Sequence, residues 1–313
     1  MNKTLIVAAL SALAAGGALA QSSVTIYGRM NLSAERQDAA GTKTSVLSNN
    51  SSRLGFKGSE DLGGGLRAGF QLEHGFDAST GLPNASFWGR QSEVNLSGAF
   101  GTVRMGTFTS EAYFATADYI SMHNHDTGSS SDALYAYVGR NTNKVAYRAP
   151  EFVKGMSLEL GVSLAESVPG REKSYDLAWN YVMGALHLGA GYEENGQAKQ
   201  FAVRALYEMG PLTLGAYVQR DTDGYGVNYG DRTNTRVSAA YAFGLSELHL
   251  NFGHAGSYDN VANSSADQFT VGYNYNLSKR TKVYTYYTKV SDSAAKVYGG
   301  DFNSFALGLR HNF

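Results

Sequence analysis

Residues Leu212-Thr213-Leu214-Gly215-Ala216-Tyr217-Val218-Gln219 place an apolar side chain at every second position. In an extended chain successive side chains point to opposite faces, so Leu212, Leu214, Ala216 and Val218 form one face and Thr213, Gly215, Tyr217 and Gln219 the other. One face suits hydrocarbon and the other suits water. A soluble double sheet would bury the apolar face against a second sheet, so the alternation alone does not decide between the two. The leader, the chain end and the asymmetry of the loops do.

Met1-Asn2-Lys3 is a basic start, Leu5 to Gly17 a short apolar run, and Ala18-Leu19-Ala20 a small-x-small cleavage site. Residues 1–20 therefore read as a removed signal peptide and residues 21–313 as the mature chain. The apolar run is shorter than the ~20 residues a spanning helix needs, and no later segment is long enough either. An exported chain of this kind enters a membrane only as strands.

Composition agrees. The chain has 37 Gly and 21 Tyr but 4 Pro and no Cys, with 43% hydrophobic residues, and a mean hydropathy of -0.28, which is polar for a membrane protein. A barrel resolves the contradiction, because only alternate residues meet lipid while the rest face a wet interior. Without cysteine, no disulfide framework holds the exported chain, and backbone pairing must do so. Removing the leader takes away Lys3 and no acid, leaving 25 basic residues against 27 acidic, a net of -2. That balance argues against a nucleic-acid partner, which would call for a basic surface.

Tight turns are read at Glu60-Asp61-Leu62-Gly63-Gly64-Gly65, Gly98-Ala99-Phe100-Gly101, Pro150-Glu151-Phe152-Val153-Lys154-Gly155, Met183-Gly184, Met209-Gly210-Pro211, Phe243-Gly244-Leu245-Ser246 and Leu277-Ser278-Lys279-Arg280. Between them lie longer polar stretches at residues 37–51, 77–86, 110–139, 166–172, 194–197, 221–231, 255–266 and 291–300. Seven short and eight long connections join sixteen strands, which predicts an all-β, sixteen-stranded antiparallel transmembrane barrel with both chain ends on the periplasmic side. A barrel of that size keeps an aqueous channel, so a hole is its default function.

Several motifs in order carry a family resemblance. They are Ser23-Val24-Thr25-Ile26-Tyr27-Gly28, the run from Ser52-Arg53-Leu54-Gly55-Phe56-Lys57-Gly58 through Gly65-Leu66, Gly89-Arg90-Gln91, Leu96-Ser97-Gly98-Ala99-Phe100-Gly101-Thr102, Val138-Gly139-Arg140, and the ending Leu307-Gly308-Leu309-Arg310-His311-Asn312-Phe313. The chain resembles the general outer-membrane porins of Gram-negative bacteria, most closely the betaproteobacterial type. The resemblance implies a homotrimer in the outer membrane, in contact with lipid and lipopolysaccharide, each barrel having its third outer loop folded inward to narrow the pore. It also implies that the terminal aromatic, Phe313, is read by the outer-membrane assembly machinery. The third loop here is residues 110–139, in which Tyr113, Phe114 and Tyr119 could pack on the wall while Glu111, Asp118, Asp126 and Asp132 offer carboxylates. The family's frequent Pro-Glu-Phe-Gly stretch is missing from it.

Such a neck works electrostatically, with wall cations facing loop carboxylates across water. Arg53 and Lys57 point inward if Leu54 and Phe56 face lipid, where a midplane Arg or Lys would cost about 2–4 kcal/mol. Strand phase adds Arg29, Arg104 and Arg148 as wall candidates, and Arg140 matches a wall arginine of the family. The arginine often found after the glycine of strand five is Thr107 here, a change that would widen the neck or soften an anion preference. His123-Asn124-His125-Asp126 and Asp221-Thr222-Asp223-Gly224 contain metal-like residues but read better as polar loop segments, so no metal or cofactor is expected. No Gly-x-Ser-x-Gly, His-Glu-x-x-His or phosphate-loop pattern occurs. The expected function is passive diffusion of ions and small hydrophilic solutes, without catalysis; a solute-specific channel, a barrel enzyme and a plugged adhesion barrel are the alternatives.

Overall fold

The computed structural model describes residues 23–123, 127–130, 132–292 and 294–313. Strands β1 (Ser23–Ala39), β2 (Thr42–Asn49), β3 (Arg53–Gly63), β4 (Leu66–Gly75), β5 (Gln91–Gly98) and β6 (Gly101–Thr107) come first. They are followed by β7 (Lys144–Arg148), β8 (Met156–Ser163), β9 (Ser174–Met183), β10 (Leu186–Asn195), β11 (Ala198–Met209) and β12 (Leu212–Thr222). The last are β13 (Asp231–Phe243), β14 (Ser246–Ala255), β15 (Ala266–Asn276), β16 (Thr281–Ser291) and β17 (Phe302–Asn312). All pairings are antiparallel, and β1 pairs with β17 from Arg29 opposite Asn312 to Ala39 opposite Phe302. The ring therefore closes on itself.

On its other side β1 meets two partners in series. It pairs with β2 along Leu32 to Ala39 and with β3 along Ser23 to Arg29. β2 and β3 are thus two halves of one stave, parted at residues 50–52, where Ser51 adopts a φ of 59°. Seventeen strand segments make a sixteen-stave barrel.

The alternation read in the sequence is inverted relative to a soluble core. On β12, Val218 is 48% exposed while Gln219 is 0% exposed. Val24, Phe201, Val237, Leu250 and Leu309 are likewise exposed, whereas Asn234, Thr270 and Ser304 are buried. Apolar groups face outward to hydrocarbon, and polar groups face one another inside.

All seven predicted tight turns fall between strands, at the places expected. Two of the predicted long loops are corrected. Residues 37–51 are not an irregular loop: β1 runs on to Ala39, Ala40 and Gly41 turn with φ of 49° and 89°, and β2 returns to Asn49. Positive φ at both central residues fits the twist of a hairpin, so the polar sequence folds as a projecting ribbon. Residues 194–197 also form a tight hairpin, with Asn195 directly opposite Ala198.

Inner-phase side chains rivet the seam where the ring closes. Tyr284 of β16 donates to Asn31 of β1 at 2.8 Å, and Asn50 donates to Tyr284 at 2.9 Å and to Ser33 at 2.8 Å. Tyr286 and Ser304 donate to the Glu35 carboxylate at 2.7 and 2.8 Å. Tyr284 reaches β1 only by lying across Gly308 of the intervening β17, where a Cβ would stand 2.1 Å from its ring.

The described residues of 110–139 include two short α-helical turns, α1 (Glu111–Ala115) and α2 (Ala117–Ile120), and a 3₁₀ turn at Gly128–Ser130. Ser110 caps the first, its hydroxyl accepting the Ala112 N–H at 3.1 Å. This segment lies against the inner phase of the later staves, whose polar side chains take up its backbone groups. Arg204 donates to the Ala115 carbonyl at 2.8 Å, Ser238 to the Ile120 carbonyl at 2.6 Å, and Asn234 to the Leu134 carbonyl at 2.9 Å. Gln219 both accepts from Ala136 N–H and donates to its carbonyl, each at 3.0 Å. Backbone groups removed from water need such partners, and the inner wall provides them.

Gly191 lets α1 approach that wall, since a Cβ there would stand 2.6 Å from the Ala112 carbonyl oxygen. Gly191→Val is expected to cost about 1–3 kcal/mol through overpacking and to lift the segment. Chymotrypsin should then cut within residues 110–139 faster than in the parent, with strand content unchanged by circular dichroism.

Candidate functional site

Two charged clusters line the interior where the 110–139 segment faces the early staves. In the first, Arg104 of β6 donates to Glu93 of β5 at 2.8 and 3.0 Å, to Glu111 at 3.0 Å and to Glu159 of β8 at 3.1 Å. Arg148 of β7 reaches the same Glu111 and Glu159, each at 2.8 Å. Glu111 stands at the first turn of α1, so the amide dipoles favour its charge as well. Two wall arginines and three carboxylates form one network, and Arg104 also stacks over Phe108, 4.2 Å from its ring centre. The arginines that strand phase proposed, Arg104 and Arg148, are brought together with the loop carboxylate Glu111.

The second cluster surrounds a cavity of about 690 Å³ lined by Arg29, Arg53, Glu73, Arg90, Asp118 and the aromatic residues Tyr113, Phe114 and Tyr137, with smaller polar groups between them. Arg90 bonds Glu73 at 2.6 Å, and Arg53 stands 3.7 Å from the same carboxylate. Arg29 sits directly opposite Arg53 in the β1–β3 ladder. Like charges in facing positions work against sheet stability, and here Glu73 beside Arg53 offsets part of that repulsion.

Other sequence candidates are placed elsewhere. Arg140, expected on the neck wall, instead ties the fourth outer loop, donating to the carbonyls of Glu172, Ser163 and Leu164 at 2.8, 2.7 and 2.9 Å. Asp132, expected as a lumen carboxylate, is buried; it accepts from Ser121 at 3.1 Å and lies 3.9 Å from Arg236, fastening the segment to β13. Lys57 shares the inner phase of Arg53 but lies exposed towards the tight turn that joins β3 to β4, 5.4 Å from the Tyr27 ring centre. Asp126 and His125 lie outside the described residues. Asp221 is engaged by Arg232 at 2.8 Å, and Arg232 is enclosed by Tyr225, Tyr258 and Tyr298 and donates to the Leu134 carbonyl. Among the described residues no group of three or more acids and histidines is gathered as for a metal ion.

Residues that sequence reasoning missed are Arg90, Glu73, Glu93 and Glu159. Glu73, Glu93 and Glu159 could have been found by extending the inner phase of Arg53 and Arg104 to their ladder neighbours. Arg90 could not, because it has the parity of the outward Val94 and Leu96 and turns inward only by lying before β5 begins.

His123 of the 110–139 segment is seated against the wall. It is 2% exposed, its ring centre lies 5.1 Å from His249 and 5.6 Å from Tyr286, and neither ring nitrogen has a hydrogen-bond partner among the described residues. Burial, followed by the neighbouring His249 and Lys282, pushes its pKa down to about 3, against a weaker opposing pull from Glu247. Glu35, bonded to Tyr286, is a further charged group on this side of the wall.

The chain and its fold match known proteins. A family model described as Gram-negative porin matches residues 6–295. The chain is 31% identical to outer membrane porin protein 32 of Delftia acidovorans and 30% identical to major outer membrane protein P.IB of Neisseria meningitidis serogroup B, each over the full length of both chains. Among solved structures, the anion-selective porin from Comamonas acidovorans superposes with a TM-score of 0.73 at 25% identity, covering 94% of this chain and 100% of that one. OmpF of Salmonella typhi in complex with daunomycin gives 0.75 at 19% identity, covering 93% and 97%.

Two predictions follow from the geometry. Arg104→Ala leaves the shielded Glu93 carboxylate without its arginine and Glu159 with Arg148 alone, and should cost about 3–5 kcal/mol, measured by guanidinium unfolding of detergent-folded protein. The His123 seat should weaken in acid. Above the ordinary value of 6.5 the imidazole is neutral whether seated or released; between 6.5 and about 3 only the released form takes a proton. Seating therefore loses about 1.4 kcal/mol per pH unit as pH falls through that window, and no more below it. Chymotrypsin-like cleavage of the segment by an acid-stable protease should accelerate across the window in the parent, and His123→Gln should flatten that slope.

Proposed function

The chain belongs to the Gram-negative porin family and is an outer-membrane channel for passive diffusion, and from that premise we propose that its charge selectivity arises where Arg29, Arg53 and Arg90 face Asp118 across a water-filled neck. The observation that carries this reading is the composition of the cavity lining, three guanidiniums against the two carboxylates Glu73 and Asp118. A water-filled gap with cations on one wall and a carboxylate on the other sets up a transverse field, and an excess of fixed positive charge raises the local concentration of anions. The lining predicts a modest preference for anions, in line with the anion-selective Comamonas porin that superposes on this chain.

The 110–139 segment is the inward-folded constriction in this reading, and the Arg104–Arg148–Glu111 network fixes its near end. The same reading takes residues 1–20 as a signal peptide removed on export, the working unit as a homotrimer, and Phe313 as the residue presented to the assembly machinery. Outer-leaflet lipid and lipopolysaccharide surround it. Passage through the neck requires no bond making or breaking, so no residue is assigned a catalytic role.

Single-channel recording under a salt gradient tests the proposal. The parent channel should give a reversal potential on the anion side, and Arg53→Glu with Arg90→Glu should move it to the cation side. Arg140→Glu, whose parent side chain is spent on loop carbonyls, should move it little; an unchanged potential in the double variant would remove both arginines from the neck.

A further inference from the structure

Two aromatic rings of the 110–139 segment stand open to the lumen. Phe114 is 40% and Tyr137 53% exposed, while Tyr113 and Tyr135 of the same segment are 5% and 0% exposed. The four rings are contiguous, with centres 5.6 Å apart for Tyr113 and Phe114, 4.9 Å for Tyr113 and Tyr137, and 5.0 Å for Tyr135 and Tyr137. The buried pair thus backs the exposed pair. Outward-facing aromatic groups on this barrel meet hydrocarbon, but Phe114 and Tyr137 line the cavity that holds Arg29, Arg53 and Arg90. A large apolar surface left in water inside a protein is the informative exception, since burial would otherwise stabilise it.

We propose that this cavity is a binding station for small aromatic monocarboxylates, the ring stacking on the Phe114–Tyr137 ledge and the carboxylate meeting the arginine wall. The inference rests on the anion-leaning channel proposed above and adds a solute class to it. The cavity volume of about 690 Å³ lies within the range of small-molecule sites, which pair apolar walls with a few placed polar groups. Arg90 spends its Nε on Glu73, and its two terminal nitrogens, in a side chain 31% exposed, make no other hydrogen bond among the described residues. They form the fork that a carboxylate fits. Asp118 in the same lining opposes a second negative group, which favours one carboxylate over two. A saturated ring of equal size would fill the same space without the offset or edge-to-face stacking that aromatic pairs gain.

The test compares block of the chloride current of the full-length, detergent-folded channel in planar bilayers by benzoate, cyclohexanecarboxylate and benzamide. Benzoate is expected to block roughly three- to tenfold more tightly than cyclohexanecarboxylate, the factor that aromatic stacking supplies, and more tightly than uncharged benzamide. Phe114→Leu combined with Tyr137→Leu should bring the benzoate to cyclohexanecarboxylate ratio towards one, while Arg90→Gln should weaken both acids alike. Equal block by the two acids in the parent, or by benzoate and benzamide, overturns the station on the unmodified protein, whether or not the variants fold. If that equality is found with an anion-side reversal potential, the selectivity proposal stands and only the station falls. A cation-side potential, or no current, overturns both.

Discussion

The constraint on which this molecule depends is that a peptide group cannot be left unpaired in hydrocarbon. Each unsatisfied N–H or C=O there costs several kcal/mol, and a ring of strands is one of the two solutions. The pairing of β1 with β17 completes that ring. The same accounting extends to the 110–139 segment, which leaves the ladder and cannot form one of its own. Its carbonyls and amides are met by Arg204, Gln219, Asn234 and Ser238 from β11, β12 and β13. The inner phase of those staves is polar for the loop's sake as much as for water's.

The early staves use the same phase differently. On β1, β3 and β6 it bears Arg29, Arg53 and Arg104, and on β4, β5 and β8 it bears Glu73, Glu93 and Glu159. The arginine–glutamate networks are short and largely shielded, and the second cluster keeps a positive excess around open space. Desolvating charge is costly, so such groupings persist where each ion has several partners or where solvent and solute can reach it.

Much of this was legible in the sequence because period-two alternation carries its meaning residue by residue. Leu214 and Val218 against Tyr217 and Gln219 predict the two faces of β12, and the glycine-bearing turns predict where each stave ends. The projecting hairpin around Ala40 and Gly41 has the sequence of a loop because its outer half is polar on both faces, as a ribbon in water is free to be. That loop carboxylates face wall arginines is expected from the sequence, but that Glu111 is the one meeting Arg104 and Arg148 depends on how the loop crosses the ring, which no sequence phase carries. Arg140 and Asp132 have the chemistry of neck residues and the position of fasteners, a distinction set by which carbonyl or guanidinium lies within 3–4 Å. Composition carries no such distance.

The seam formed by Tyr284, Asn31, Asn50 and Ser33 has a consequence for assembly. A ring made from one chain is sealed by its two ends, and a one-residue slip at that joint would send every following side chain to the wrong surface. Backbone hydrogen bonds alone tolerate such a slip, because one peptide resembles the next. A tyrosine that must pass over Gly308 to find two asparagines does not. Closure in the right frame is thus proofread by a side-chain lock that engages in a single alignment.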